Sequence, residues 1–258
     1  MYQVDAFASE LFSGNPAAVC ILENWLPDSI MQSVAGENNL AETAFAVRTG
    51  DGYEIRWFTP ETEVALCGHA TLATAHILFA TRDPGLKSIR FHTRERGWLE
   101  VAKSGDWLVL DFPSDPPEET GMPEGLANAL GGTPKSCWKG LTDYMVVYDT
   151  EEEIRALSPN YHLLNQVQAR GVIATSPGRD CDFVSRFFAP RCGVPEDPVT
   201  GSAHTTLTPY WARTLGKTRL DAAQLSPRGG VLRCEFLGDR VKIAGKAVTY
   251  MKAEVYLP

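Results

Sequence analysis

The chain has 258 residues, of which 44% are hydrophobic, and a formal net charge of -8 at pH 7. This length allows two domains of ordinary size, each with a substantial core. Nucleic acids and anionic membranes bind clustered Lys and Arg, whereas the basic clusters here are short and interrupted by acids, as in Arg94-Glu95-Arg96. We therefore expect neither partner and favour a small molecule or a protein.

Targeting signals and disulfides are also not expected. Residues 1–7 lack the basic and apolar regions of a signal peptide, and no apolar run approaches the roughly 18 residues that span a bilayer. The six cysteines show no C-x-x-C spacing, and four of them lie in apolar or strand-like runs. These features predict a cytoplasmic protein without a disulfide framework.

Alternation of apolar and polar residues between turn residues predicts strands through the first third of the chain. The predicted strands are 2–7, 17–22, 43–48, 53–58, 87–92, 97–102 and 107–112. Helical spacing predicts helices at 28–38, with Asp28 as the N-cap, and at 68–82. The second helix is almost entirely apolar or small, which is typical of a buried helix that fills a curved or barrel-like sheet.

Residues 114–119, Ser-Asp-Pro-Pro-Glu-Glu, are the richest breaker stretch and lie near the midpoint of the chain. We place a domain boundary there. Beyond it, helices are predicted at 122–131, 151–158 and 201–215, and strands at 143–149, 171–175, 181–188, 230–237, 240–244 and 247–257.

One pattern occurs in both halves. Arg-Trp-Phe-Thr-Pro at 56–60 runs through a loop into Cys-Gly-His-Ala-Thr at 67–71, and Arg-Phe-Phe-Ala-Pro at 186–190 runs through a longer loop into Thr-Gly-Ser-Ala-His at 200–204. Each copy reads as strand, loop and helix. The duplication predicts two pseudo-symmetric domains that assemble one active site.

A helix start presents unpaired backbone N–H groups and a positive dipole end, which bind carboxylates and developing enolates. Gly68 and Gly201 would let a ligand approach the backbone closely. The alternative is that each glycine only eases a tight turn. The duplication favours the binding function, with two helix starts holding one anion.

Two titratable residues of the first half can transfer protons. His69 follows Gly68, where it either exchanges a proton near pH 7 or simply caps the helix, whereas the second copy has Ser202. Glu42 stands where an apolar strand begins, so that burial would raise its pKa toward a working acid or base, although a solvated strand-end charge is the alternative. Asp197 lies in a stiff loop between two prolines.

Cys67 competes for the role of nucleophile, because a thiol at a helix start can have a lowered pKa. A two-thiol racemase would need a partner at position 200, which is Thr. Cys67 therefore acts either in the chemistry or as a packing residue.

The motifs together resemble the phenazine-biosynthesis PhzF-like isomerase family. They are Asp5-Ala6-Phe7 with Ser13-Gly14-Asn15-Pro16-Ala17-Ala18-Val19, Ala41-Glu42-Thr43-Ala44-Phe45, Phe58-Thr59-Pro60 with Glu63-Val64, Leu66-Cys67-Gly68-His69-Ala70-Thr71, and Phe188-Ala189-Pro190 with Glu196-Asp197-Pro198-Val199-Thr200-Gly201-Ser202-Ala203-His204. The resemblance spans nearly the whole chain apart from about 115–170, and its last block is the most specific.

The resemblance implies an α+β protein with the diaminopimelate epimerase-like fold. In that fold two pseudo-symmetric β-barrel-like domains each surround a central helix, and the active site lies in the cleft between them. It also implies that the last strand returns to the first domain, so the predicted domains are 1–114 plus 246–258 and 115–245.

The resemblance also implies the roles of the site residues. Glu42 is expected to be the proton shuttle, assisted by His69, Asp197 and Ser202. The substrate carboxylate is expected at the two helix starts, in contact with Asn15, Cys67, Gly68, Ala70, Thr200 and Gly201.

We therefore expect a cofactor-independent isomerase that moves a proton on a small carboxylate-bearing substrate, giving a double-bond shift or a tautomerisation. The alternatives are a one-thiol epimerase or hydrolase that uses Cys67, and a metabolite-binding protein without catalysis. No dinucleotide or P-loop motif occurs, and the histidines at 69, 76 and 204 lack metal-ligand spacing, so no cofactor or metal is expected. The resemblance further implies a homodimer.

Overall fold

A computed structural model describes residues 1–257 as an α+β protein. Its strands are β1 (Tyr2–Ala6), β2 (Asn15–Leu22), β3 (Glu42–Thr49), β4 (Gly52–Phe58), β5 (Glu63–Val64), β6 (Ser88–Thr93), β7 (Gly97–Ser104), β8 (Trp107–Pro113), β9 (Glu118–Thr120), β10 (Ser136–Lys139), β11 (Asp143–Val147), β12 (Gly171–Pro177), β13 (Phe183–Ala189), β14 (Val194–Asp197), β15 (Arg219–Gln224), β16 (Gly230–Phe236), β17 (Arg240–Gly245) and β18 (Ala247–Lys252). Its α-helices are α1 (Asp28–Asn38), α2 (Gly68–Thr81), α3 (Leu126–Leu130), α4 (Glu151–Ala156), α5 (Tyr161–Leu164) and α6 (Gly201–Leu215).

The chain divides into two compact units. Unit 1 comprises residues 1–111 and 244–258, and unit 2 comprises residues 112–243. In unit 1, β1 pairs antiparallel with both β2 and β18, so the last strand joins the first one. The strand predicted at 247–257 therefore pairs as expected, although it ends at Lys252.

In unit 1 the sheet surrounds α2. β2 pairs parallel with β3, β3 pairs antiparallel with β4, and β4 pairs antiparallel with β5 and parallel with β6, which continues antiparallel into β7 and β8. Helix α2 packs against β1, β2, β3, β7 and β18, and ten of its fourteen residues are buried. The nearly uniform apolar sequence of α2 follows from this position, because the helix meets strands on most of its circumference.

Unit 2 repeats the same order of pairings. β11 pairs parallel with β12, β12 pairs antiparallel with β13, and β13 pairs antiparallel with β14 and parallel with β15, which continues antiparallel into β16. Helix α6 follows β14 as α2 follows β5, and it packs against β15 and β16. The duplication seen in the sequence is therefore a duplication of strand topology.

Three sequence expectations about local structure are corrected. Asp28 is the first residue of α1 rather than its N-cap, because the carbonyl of Pro27 closes the first turn and the Asp28 carboxylate accepts a hydrogen bond from Arg56 at 2.8 Å. The helix expected at 122–131 shortens to Leu126–Leu130, since Gly125 adopts a left-handed conformation with φ 78°. The loop expected around Asp197 is the short strand β14.

The segment 115–170, which carries no family motif, forms β9, β10, β11 and three short helices. Its helices α3, α4 and α5 contribute buried residues to a core cluster with β12 and β13.

None of the six cysteines forms a disulfide within residues 1–257. No helix among the described residues has the length and apolar character needed to cross a membrane.

Candidate active site

Glu42 is the first residue of β3 and lies beside Ala17 of the parallel strand β2. Its side chain is only 19% exposed. Burial raises the pKa of the Glu42 carboxyl to about 7, and a hydrogen bond from the Cys67 thiol lowers it by a smaller amount. A carboxyl with this pKa is ionised in about half of the molecules at neutral pH, which suits a group that must both take and return a proton.

Cys67 and His69 flank the start of α2. Cys67 is the N-cap residue in an extended conformation, and its side chain makes no capping hydrogen bond to the helix. Both side chains are buried. The first-turn N–H groups of α2 are therefore not satisfied by the N-cap side chain, which is the condition for binding an anion there.

The His69 imidazole lies between the thiol and the carboxylate. Its Nδ1 is 3.5 Å from Cys67 Sγ, and its Nε2 is 3.2 Å from Glu42 Oε2. The donor atoms of the three residues all lie within 4.8 Å of one another. Because the ring turns a different nitrogen toward each neighbour, the arrangement suits proton exchange between the three groups better than joint coordination of one metal ion.

The other expected contact residues of unit 1 lie around this cluster. Asn15 is fully buried and begins β2, two residues before Ala17, the neighbour of Glu42. Gly68 is the first residue of α2, and Ala70 is fully buried in its first turn. The sequence therefore identified a set of residues that unit 1 does bring to one end of α2 and of the β2–β3 pair.

The start of α6 in unit 2 is built on hydrogen bonds. Thr200 is the N-cap residue, but its hydroxyl donates to Asp197 Oδ2 at 2.5 Å instead of capping the helix. Gln224 at the end of β15 accepts from the Thr200 backbone N–H at 2.9 Å and donates to the Asp197 carbonyl at 2.8 Å. The Gln224 side chain thus connects the residue before the helix to the strand that carries the acid.

Ser202, in the first turn of α6, is held by Arg170. One guanidinium nitrogen of Arg170 donates to Ser202 Oγ at 3.0 Å, and the other two nitrogens bind the carboxylate of the buried Asp143. The Arg170 guanidinium also lies 5.3 Å from the centroid of the Phe187 ring. Because Arg can only donate, Ser202 Oγ accepts from it and must direct its own hydrogen elsewhere.

His204 is structural. It is fully buried, and its Nδ1 lies 2.8 Å from the Thr200 carbonyl, which can only accept, so Nδ1 carries the hydrogen. Burial lowers the pKa of His204 to about 4. In unit 1 the equivalent Thr71 donates to the Cys67 carbonyl at 2.6 Å. In both helices the carbonyl of the N-cap residue therefore accepts a hydrogen bond from a side chain one turn later, which is His204 in α6 and Thr71 in α2.

A buried Arg braces the loop before each helix. Arg56 binds Glu63 through two contacts of 2.7 Å, and Arg186 binds Glu196 through contacts of 2.7 and 2.9 Å. Each guanidinium lies 5.0 Å from the ring of the Phe two residues later. Glu63 and Glu196, which belong to the motifs of the family resemblance, are therefore ion-pair partners of these arginines.

The sequence reading missed Arg170, Asp143 and Gln224, which hold the start of α6. They lie 32, 59 and 22 positions from Ser202 along the chain, and none belongs to a recognised motif. The only signal in the sequence is that Asp143 and Gln224 are polar residues at the ends of strand-like runs.

Comparison with known proteins identifies the family. The family model PhzC-PhzF, described as phenazine biosynthesis-like protein, matches residues 4–253. The chain belongs to this family. It is 51% identical over 257 residues to an uncharacterized isomerase of Pseudomonas aeruginosa, a match that covers 100% of this chain and 98% of that protein.

Solved structures agree with this assignment. A phenazine biosynthesis protein of the PhzF family from Enterococcus faecalis superposes with a TM-score of 0.97 and 46% identity, covering 99% of this chain and 98% of the other. A "Predicted Epimerase" from Pseudomonas aeruginosa, 20% identical, has a TM-score of 0.75 and covers 100% of this chain and 99% of its own. The more distant match shows the fold alone, and the fold is diaminopimelate epimerase-like.

Proposed function

We propose that this PhzF-family protein is a cofactor-independent isomerase that moves a proton between carbon atoms of a small carboxylate-bearing substrate, with Glu42 as the shuttle. Its relatives named isomerases support the reaction class. The observation that carries the mechanism is the Glu42 carboxyl, buried in contact with Cys67 and His69, with a pKa of about 7.

The proton balance needs no outside reagent. The Glu42 carboxylate takes a proton from the carbon next to the substrate carboxylate, and the electron pair of that C–H bond spreads into the carboxylate and the adjacent double bond. The proton held by Glu42 exchanges with solvent, and a proton is then returned to a different carbon, by Glu42 or through His69 Nε2 at 3.2 Å. The product is an isomer in which the double bond has moved, and Glu42 is again ionised.

The negative charge that develops on the substrate carboxylate requires fixed donors. In unit 1 these are the first-turn N–H groups of α2, which the Cys67 side chain leaves uncapped. In unit 2 the matching groups are the first-turn N–H groups of α6 and the Ser202 hydroxyl. Because Arg170 donates to Ser202 Oγ, the hydroxyl hydrogen points away from Arg170. That both helix starts serve one substrate remains part of this proposal.

Hydrogen exchange in heavy water tests the mechanism. The protein is incubated with a panel of amino, hydroxy and unsaturated carboxylic acids, and mass spectrometry follows deuterium incorporation at carbon. We expect incorporation for the true substrate class and a rate at least about 100-fold lower for Glu42→Gln, as for other lost acid–base groups. Exchange by Glu42→Gln at the wild-type rate would refute the assignment of the shuttle.

A one-thiol epimerase remains the second candidate, because the Cys67 thiol contacts both Glu42 and His69. The two candidates differ in the role that they assign to the Cys67 thiol. If Glu42 is the shuttle, Cys67→Ala keeps activity within about tenfold, since the thiol only donates a hydrogen bond. If Cys67 is the base, Cys67→Ala abolishes deuterium exchange, and iodoacetamide inactivates the wild type unless substrate is present.

A further inference from the structure

A cavity of about 360 Å³ opens in unit 1 at the distal half of α2. Its walls come from residues 8–9 after β1, from α2, from the β7–β8 hairpin and from residues 246–248 at the start of β18. His76 lines it, seven residues after His69, which is an axial distance of about 10 Å along the helix. The cavity is therefore separate from the Glu42–Cys67–His69 cluster, and its volume lies in the range of small-molecule sites.

Two ammonium groups line this cavity. Lys103 makes no ion pair within residues 1–257, and its Nζ lies 5.7 Å from the centroid of Phe79. Lys246 Nζ lies 5.5 Å from the centroid of Trp107, and its acidic neighbour is Asp106, at 3.9 Å and 87% exposed. Each cation is thus positioned against an aromatic ring, and only Lys246 has a carboxylate nearby, the exposed Asp106.

The charges sum to one excess positive charge. Lys103 and Lys246 contribute two positive charges and Asp106 one negative charge. Burial and the neighbouring Lys103 lower the pKa of His76, which keeps the ring neutral at pH 7, and its Nε2 lies 3.0 Å from Thr249 Oγ1. An excess of one positive charge stands out in a chain of net charge -8.

The remaining lining is apolar apart from Ser9. Phe79 and Leu108 are buried side chains in it, and Ala8, Ala80, Ala247 and Val248 complete it. A ligand that fits must therefore present one negative charge to the lysines and an uncharged surface to the apolar side chains beside them.

We propose that this cavity of about 360 Å³ binds a small organic monoanion, a carboxylate on an apolar body. The net charge favours a monoanion over a phosphate dianion, and the Phe79–Leu108 wall favours an apolar body over a fully polar one. The site is independent of the proposed proton transfer at Glu42.

Fluorine NMR with 4-fluorobenzoate as the probe tests this proposal on the full chain. We expect binding to the wild type with a Kd of about 1 mM, as for a ligand of this size. Neutral 4-fluorobenzyl alcohol and inorganic phosphate should each bind at least about tenfold more weakly, because each lacks one of the two matching features.

Two kinds of variant locate the site. The double variant Lys103→Met/Lys246→Met removes the charge and should weaken binding about tenfold. Ala80→Phe fills the cavity from an exposed position without changing charge and should also prevent binding. The control Lys135→Met removes an exposed lysine of unit 2, paired with Asp149, and should leave the Kd within twofold.

Circular dichroism checks that each variant is folded, and all of them should retain the deuterium exchange of the wild type. Two results would overturn the proposal. One is the absence of 4-fluorobenzoate binding to the wild type, with or without phosphate binding. The other is binding that both the lysine variant and Ala80→Phe leave unchanged, which would place the probe elsewhere.

Discussion

The helix starts of the two units share one backbone plan and differ in chemistry. In each unit a buried Arg braces the preceding loop, a Gly opens the helix, and the N-cap side chain leaves the first turn uncapped. At the start of α2 the neighbouring side chains are Glu42, Cys67 and His69, which can all exchange protons. At the start of α6, Thr200 and Ser202 are instead fixed by hydrogen bonds.

This difference separates the two requirements of the proposed reaction. Proton transfer needs a group with a pKa near the working pH, which burial creates in Glu42. Charge stabilisation needs donors that do not move, which the hydrogen bonds of Gln224 and Arg170 provide in unit 2. A duplicated frame can therefore be specialised by a few side chains while its backbone is kept.

The largest expected effect is on the rate. Glu42→Gln should lower kcat by two to four orders of magnitude, since it removes the acid–base group. Ser202→Ala should lower kcat/KM by only about tenfold, because it removes one of several donors to the charge that develops on the bound anion. Steady-state kinetics on the substrate found by deuterium exchange measures both. Equal losses of kcat in the two variants would contradict the proposal that Glu42 transfers the proton while Ser202 only stabilises charge.

The two bracing arginines should differ in their contribution to stability. Arg186→Met leaves Glu196, which is 9% exposed, without its cation and should cost about 3–5 kcal/mol. Arg56→Met should cost less, because Glu63 is 31% exposed and Arg94 lies 3.4 Å from it. Urea unfolding of both variants measures the difference, and Arg186→Met/Glu196→Gln should recover part of the loss. A greater cost for Arg56→Met would contradict this ranking.

Glu42 and His204 should give opposite dependences of stability on pH. The pKa of Glu42 rises from 4.5 to about 7 on folding, so its contribution is present below pH 4.5 and is lost, by about 3 kcal/mol, as the pH rises to 7. The pKa of His204 falls from 6.5 to about 4, so its contribution is present above pH 6.5 and is lost, by about 3 kcal/mol, as the pH falls to 4.

The variants separate these two dependences. Relative to the wild type, Glu42→Gln should gain stability as the pH rises from 4.5 to 7, and His204→Asn should gain stability as the pH falls from 6.5 to 4. Urea unfolding at four pH values measures both differences. If the Glu42→Gln difference stayed constant with pH, Glu42 would have no raised pKa.

The smallest expected effect concerns Arg170. Arg170→Lys keeps a cation beside Asp143 but loses the planar group that also reaches Ser202, and it should lower kcat/KM by up to about tenfold. In a Ser202→Ala background the same change should have little further effect, because Arg170 acts through that hydroxyl. Kinetics of the two single variants and the double variant test this. Additive losses would show that Arg170 has a separate role.

Several features could be predicted because their signal is local. Helices α2 and α6 begin at Gly68 and Gly201 as expected, and Glu42 begins a strand. The helix at 122–131 was predicted too long, because apolar spacing says nothing about the left-handed Gly125. Strand β15, which carries Gln224, was missed, since its pairing with β13 joins residues about 40 positions apart.

The sequence by itself determined the duplicated frame, the family and the residue types at the two helix starts. These depend on short motifs and on periodicity, which each segment carries whatever its neighbours are. Tertiary structure decided how those residues are used: the imidazole of His69 between Cys67 and Glu42, the burial that raises the pKa of Glu42, and the Arg170 contact with Ser202. Each of these depends on side chains brought together from distant strands and helices, and on the water that their packing excludes.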